Sequence, residues 1–280
     1  MIHECMDVNV DYAGIGLAHD DTKATLTTYI MDTYPGKALA IPKPLILICP
    51  GGGFGHLSVR EGEPVALRMN SLGFHAAILR YTLVPNEYPC ALYELATAMK
   101  MIHEHAKEWY VDENRIIVAG FSAGGYLAAS LGTFWNDPKL SKNLGVSSEL
   151  LQPSGLLLGY PVITSGEYAH RASFENLLGS QYESLVEWAS LENHVTKDTP
   201  KTFLWTTFGD QTVPMENAMC FAKALRKANV PFEFHSFPYG SHGLSLANSE
   251  TDMKTLDKHQ EECTVWPDLF STWLRHMKDE

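Results

Sequence analysis

Apolar positions in this chain fall into two kinds of run. Some are short and continuous. PLILICP (44–50) is apolar almost throughout, the pattern of a parallel strand covered on both faces. FHAAILRYTL (74–83), RIIVAG (115–120), GLLLGYPVI (155–163), TFLWTTF (202–208) and FEFHSF (232–237) read as further strands, and residues 8–30 as two short N-terminal ones ending in the β-rich ATLTTYI. Other apolar positions recur at helical spacing. Leu92, Leu95, Met99, Ile102, Ala106 and Trp109 are three or four apart and form one stripe over about five turns. EGEPVALRMNSL (61–72) reads as a helix with Gly73 as its C′ residue. Residues 122–135, 216–230 (Ala218, Phe221, Ala222 and Leu225 on one side) and 265–277 are further helices. Strands alternating with helices imply βαβ units, a mainly parallel sheet and helices on both of its faces. The expected fold class is α/β, one domain over residues 1–280, with no internal repeat, low-complexity tract or long linker.

In such sheets ligands bind beyond the carboxyl ends of the strands, so the loops after the strands are where chemistry is expected. They read GGGFG (51–55), FSAGG (121–125), GDQTVP (209–214) and YGSHGL (239–244). The second contains Gly120-Phe121-Ser122-Ala123-Gly124, which fits G-x-S-x-G, a sharp strand-to-helix turn that holds up a serine nucleophile. The pattern occurs by chance in roughly one chain in ten of this length. The plain alternative is a Gly-rich turn before a helix. A β-rich run directly before and an Ala-rich helix directly after favour the nucleophile.

A serine hydroxyl needs a base, and the base an orienting carboxylate. In this arrangement the chain order is serine, acid, histidine. Asp210 and His242 follow in that order, each just past a strand, and Gly240 and Gly243 flank the histidine's loop. His235 (mid-strand) and His259 (in a polar stretch among acids) rank below His242, and Asp198 and Asp257 below Asp210. Acyl transfer also needs N–H donors for the oxyanion. Ala123, just after the serine, supplies one, and the glycine loop Gly51-Gly52-Gly53-Phe54 the other. A phosphate-binding loop is the alternative for these glycines, but neither GK[ST] nor G-x-G-x-x-G is present.

Composition narrows the partners. Hydrophobic residues are 45% and charged residues 19% of 280, as in soluble globular enzymes. The 33 acids against 21 bases leave a net charge of −12, which argues against nucleic acid or an anionic membrane as partner. The start, MIHECMDVNVDYAGIG, has no basic n-region or apolar h-region, so no signal peptide is expected. The apolar runs are strand-sized, far below the ~20 residues of a membrane span. Five scattered cysteines (Cys5, Cys49, Cys90, Cys220, Cys263) without CxxC read as reduced thiols in a cytoplasmic protein; export without a signal stays open. Cys90 and Cys263 have no evident activating base and read as idle thiols. His103-Glu104-His105 does not converge two ligands on one helix face. It reads as solvated surface, as do the acids of 250–262, and no metal or other cofactor is expected.

With these residues in place the chain resembles the α/β-hydrolase superfamily, and within it the acetyl esterase and acetylxylan-esterase-like carboxylesterases. The resemblance runs through CPGGGFGHLSVREGEPVALRMNSLGFHAAILRYTLVP, YPCALYELATAMKMIHEHA, RIIVAGFSAGGYLAASLGT and SLENHVTKDTPKTFLWTTFGDQTVPMENAMCFAKALRKANVPFEFHSFPYGSHGLSLA, most of residues 45–247. It implies the α/β-hydrolase fold, Ser122 as nucleophile, Asp210 as acid, His242 as base, and Gly52, Gly53 and Ala123 as oxyanion donors. It implies hydrolysis of short-chain esters, acetylated sugars among them, without a cofactor. Many relatives have histidine before the glycines, where this chain has Cys49-Pro50, and Ser122 argues against the cysteine chemistry of the dienelactone-hydrolase branch.

The longest piece between strands is 162–200, which carries Tyr168, His170, Phe174, Tyr182 and Trp188. A cap-like insertion over the serine, with Phe54, Tyr168 and Trp188 shaping the substrate pocket, and plain surface helices packed on the core are equal readings. The expected partner is a small-molecule ester; a second copy of the chain, as a homodimer, is a further candidate. A prolyl-oligopeptidase-like peptidase shares the triad and its order, although about 40 N-terminal residues are too few for a propeller. A non-catalytic hydrolase-fold binding protein is the reading from another class, disfavoured by the intact Ser–Asp–His set.

Overall fold

Ile46 and Ile48 face one side of the central sheet and Leu45, Leu47 and Cys49 the other, and all five are buried. The strand is apolar without alternation because both of its faces are covered. The computed structural model describes residues 1–32, 41–252 and 260–277. In chain order the elements begin with β1 (Cys5–Val8), β2 (Ala24–Tyr29), β3 (Lys43–Cys49), α1 (Glu63–Ser71), β4 (His75–Arg80) and α2 (Cys90–Trp109). Then come β5 (Val111–Phe121), α3 (Ala123–Phe134), α4 (Pro138–Leu144), β6 (Gly155–Gly159), α5 (Arg171–Leu178) and α6 (Tyr182–Leu185). The remainder is β7 (Thr202–Thr207), α7 (Glu216–Lys227), β8 (Phe232–Phe237) and α8 (Trp266–His276).

The eight strands form one sheet in the order β1-β2-β4-β3-β5-β6-β7-β8. β2 runs antiparallel to both of its neighbours, β1 and β4, and from β4 through β3, β5, β6 and β7 to β8 adjacent strands are parallel. Residues of α2, α3, α5 and α7 pack with one face of the sheet and residues of α1 and α8 with the other. All six residues of the α2 stripe are buried. The chain leaves β3 toward β4 on one side and returns to β5 on the other. The loops after β3 and β5 therefore open at the point where the winding reverses, the place for a ligand in such sheets. No described helix is long and apolar enough to cross a membrane.

Several boundaries differ from the sequence reading. The first strand lies at Cys5–Val8, ahead of the expected stretch. The loop after it is held by Tyr12, whose hydroxyl donates to the buried Glu94 at 2.6 Å. β5 begins at Val111, four residues early, and its register against β3 shifts between Lys43 and Leu45. β6 stops at Gly159, where Tyr160 takes φ +36° before Pro161. α4 carried no periodic apolar stripe. It is made by its ends, where the Asp137 side chain accepts the Lys139 N–H, Pro138 opens the first turn and Gly145 sits at φ +65°.

Residues 162–200 are fastened to the body. Phe174 and Leu178 are fully buried in the main core. Tyr126 donates to the Ala189 carbonyl at 2.8 Å, and Leu191 N–H to Ile163 O at 3.2 Å. Asn217 of α7 accepts from the N–H groups of Ile163 and Thr164 at 2.9 and 3.1 Å and donates to Tyr168 O at 2.9 Å. The histidines of α2 are not solvated as expected. The His103 side chain is mostly buried, with Nδ1 at 2.9 Å from Glu113, and His105 stacks on Trp109. Asp252 is buried rather than solvated, while His259, Asp257 and the rest of 253–259 lie outside the described residues. Burial holds the Cys90 thiol up at about 11, which leaves it protonated and inert near neutral pH.

Candidate active site

Ser122 stands between β5 and α3 at φ +53° and ψ −122°, a conformation a side-chain-bearing residue adopts only where its surroundings hold it. Ser122 N–H donates to Gly159 O at 3.0 Å, and its carbonyl accepts Gly125 N–H at 2.9 Å and Val162 N–H at 3.0 Å. The glycines of the motif have a steric reason. A Cβ on Gly120 would collide with the Gly124 carbonyl, and one on Gly124 with the Cys49 carbonyl. Strand, turn and helix meet at backbone distance, so only hydrogen fits at these two positions.

The three residues named from the sequence come together here. Ser122 Oγ is 2.7 Å from His242 Nε2, and His242 Nδ1 is 2.7 Å from Asp210 Oδ2. A carboxylate beside Nδ1 assigns the proton to that nitrogen and leaves Nε2 to accept the serine proton. The other oxygen of Asp210 accepts the N–H groups of Thr212 and Val213, each at 2.9 Å. The loops after β7 and β8 are also joined: Thr207 Oγ1 donates to Gly240 O at 2.9 Å and Phe208 N–H to Phe237 O at 2.8 Å. The other candidates are elsewhere. His235 bonds Glu233 at 2.7 Å on β8, and Asp198 pairs with the exposed Lys197.

The glycine loop after β3 turns through three successive residues at positive φ, Gly52 (+126°), Gly53 (+63°) and Phe54 (+59°). Gly51 N–H is taken by Glu61 Oε2 at 2.7 Å. Among the described residues, the N–H groups of Gly52, Gly53 and Ala123 have no protein acceptor, and these are the three expected to face an oxyanion. Phe54 sends its buried ring inward against Tyr81 and Tyr126. Together with Tyr126 it lines an apolar cavity of about 10 Å³, room for about one water. Tyr168 is 38% exposed on the segment held by Asn217. Trp188 stacks on Phe134 at the far end of α3, about 18 Å along the helix from Ser122, and is not brought to the triad.

Sequence reading missed a buried polar chain behind the site. Glu61, 2% exposed, accepts the Gly51 N–H with one oxygen and the Tyr160 hydroxyl, at 2.8 Å, with the other. Tyr160 Oη accepts Ser245 N–H at 2.9 Å, and its ring lies edge-on to His242 with centroids 5.1 Å apart. Burial first, and Glu61 second, hold the Tyr160 phenol well above its ordinary range, so it stays a donor. Glu61 thus ties the glycine loop to the histidine loop. Nothing in one sequence separates it from an ordinary acid at a helix start. Glu61→Leu strands two buried donors, each worth about 1–3 kcal/mol when left unpaired. The expected result is an unfolding free energy about 2–5 kcal/mol lower in urea, with Glu61→Gln between the two.

A serine on a strained strand–helix turn, bonded to a histidine and through it to an aspartate at the carboxyl edge of a mostly parallel sheet, defines an α/β hydrolase. The BD-FAE family model matches residues 31–225, and the chain belongs to that family. It is 36% identical over 217 residues to "Endo-1,4-beta-xylanase B" of Butyrivibrio fibrisolvens, covering 75% of this chain and 34% of that protein. It is 27% identical over 234 residues to "Acetylxylan esterase" of Xylanibacter ruminicola, covering 81% of this chain and 45% of that protein. The chain therefore spans about a third to a half of these relatives. The solved "acetyl ester-xyloside bifunctional hydrolase from Caldicellulosiruptor lactoaceticus" superposes with a TM-score of 0.81 at 35% identity, covering 98% of this chain and 96% of that one. Fold, site and family together place this chain among the α/β hydrolases.

Proposed function

We propose that the protein is a serine esterase that removes short acyl groups, acetyl first, from sugars through an acyl-enzyme. The Asp210–His242–Ser122 relay, 2.7 Å at each step, carries this reading. Ser122 Oγ attacks the ester carbonyl while His242 Nε2 takes its proton. The carbonyl oxygen becomes the oxyanion, held by the N–H groups of Gly52, Gly53 and Ala123. The intermediate collapses, the bond to the alcohol breaks, and His242 returns the proton to the departing oxygen. Water then attacks the acyl-serine with His242 as base, releasing the acid and restoring Ser122. Asp210 keeps the imidazole in its working tautomer throughout.

The short-acyl part rests on the acetyl group in the names of two relatives, and the sugar part on the same two names. The test is hydrolysis of 4-nitrophenyl esters from acetate to decanoate, with acetylated xylose alongside. The expected result is a steep fall beyond butyrate, with acetate released from the sugar. Rates rising with chain length would overturn the short-acyl reading, and hydrolysis of none would overturn the esterase.

A further inference from the structure

His170 is the residue before α5, and that helix is fastened to the glycine loop. Asn176 Nδ2 donates to Gly53 O at 2.8 Å. A Cβ built on Gly53 would lie 3.7 Å from Ser173 Oγ and 4.0 Å from His170 Cε1. The imidazole therefore lies over the glycine whose N–H faces the developing oxyanion. Its orientation is set by Ser173, a buried residue whose Oγ is 2.8 Å from His170 Nδ1. The other ring nitrogen, Nε2, is bonded to Cε1 and stands on the same edge. Among the described residues it has no protein partner. His170 is half-buried rather than sealed in the core. Burial, and then the charge of His242, lower its pKa, which favours the neutral ring. A neutral ring does not compete with the imidazolium that His242 becomes during turnover.

A neutral imidazole nitrogen offers one donor or one acceptor, and a hydroxyl satisfies either. Beyond the reacting carbonyl an acetyl group has nothing to bond. The hydroxyls of a polyol acetate all lie on its alcohol part. We propose that His170 is a substrate-binding residue whose Nε2 takes a free hydroxyl of the alcohol part, so that the site selects esters of polyols such as sugars over esters of simple alcohols. This inference rests on the esterase reading above.

The test compares methyl xyloside carrying one acetyl group with cyclohexyl acetate, whose six-membered ring bears no hydroxyl. The quantity read is the ratio of kcat/KM on the first to kcat/KM on the second. His170→Leu is expected to lower that ratio about tenfold, the size of one neutral hydrogen bond. His170→Gln, which returns an amide group near the position of Nε2, is expected to restore most of it. Wild-type enzyme on deoxy versions of the xyloside tests the same bond without mutation: removing the recognised hydroxyl lowers kcat/KM in the wild type and changes little further in His170→Leu. The inference is overturned if the wild type does not prefer the xyloside, or if the ratio is the same in wild type and His170→Leu. A wild type that cleaves neither acetate would instead overturn the esterase reading.

Discussion

Ser122→Ala is expected to lower kcat/KM on 4-nitrophenyl acetate by about 10⁴- to 10⁶-fold, the range seen when a nucleophile acting within a triad is removed. Binding should survive, because the N–H donors and the walls of the site belong to other residues. The fold should survive as well. Ser122 Oγ meets His242 Nε2, and losing one part-exposed neutral bond costs about 1 kcal/mol. The backbone makes a second, sharper prediction at the same position. Alanine inherits the φ of +53° and its strain, whereas glycine adopts that φ freely. Ser122→Gly should therefore be more stable than Ser122→Ala by about 1 kcal/mol in urea. If Ser122→Ala kept wild-type turnover, the covalent mechanism would be wrong. If the glycine variant were the less stable, the strain at the turn would not be what the dihedrals imply.

How much of this was legible beforehand follows from what kind of contact makes each feature. Strands buried on both faces announce themselves as apolar runs, so β3, β5, β6 and β7 were readable, as was α2 from its six-residue stripe, while β8 is an edge strand with no buried residue. Ser122, Asp210 and His242 were readable because each falls at the end of a strand, where the topology brings loops together. α4 was not, because its caps make it and its apolar face is one buried leucine, Leu140. Glu61 and Glu94 were not either. A buried acid differs from a surface acid only by its partners, and those come from across the fold: Tyr160 from 99 residues away for Glu61, Tyr12 from 82 for Glu94. His170 was only one of several aromatic or basic residues in 162–200. The hydrogen bond from Asn176 to Gly53, which decides where α5 sits, is 123 residues long in sequence. Trp188, which the sequence reading places in the pocket ahead of His170, packs at the other end of α3.

Asp210→Asn is expected to cost about 10³- to 10⁴-fold in kcat/KM with a small loss of stability, and the geometry says why so conservative a change does so much. Asp210 Oδ1 accepts two backbone N–H groups, from Thr212 and Val213, while Oδ2 faces His242 Nδ1. Of an amide's two ends only the oxygen can accept those N–H groups. The NH₂ must then take the place of Oδ2 and point at the imidazole. A donor at Nδ1 forces the ring proton onto Nε2, so the nitrogen facing Ser122 becomes a donor and no longer accepts the serine proton. The variant thus keeps its fold, its serine and its histidine, and loses only the tautomer. Nitrogen NMR of the His242 ring should show the proton at Nδ1 in the wild type and at Nε2 in Asp210→Asn. Asp210→Ala also removes the acceptor of both N–H groups and should lose a further 1–3 kcal/mol of stability. The two substitutions therefore separate what the aspartate does for the loop from what it does for the histidine. If Asp210→Asn retained activity within tenfold, the carboxylate would be serving the loop alone.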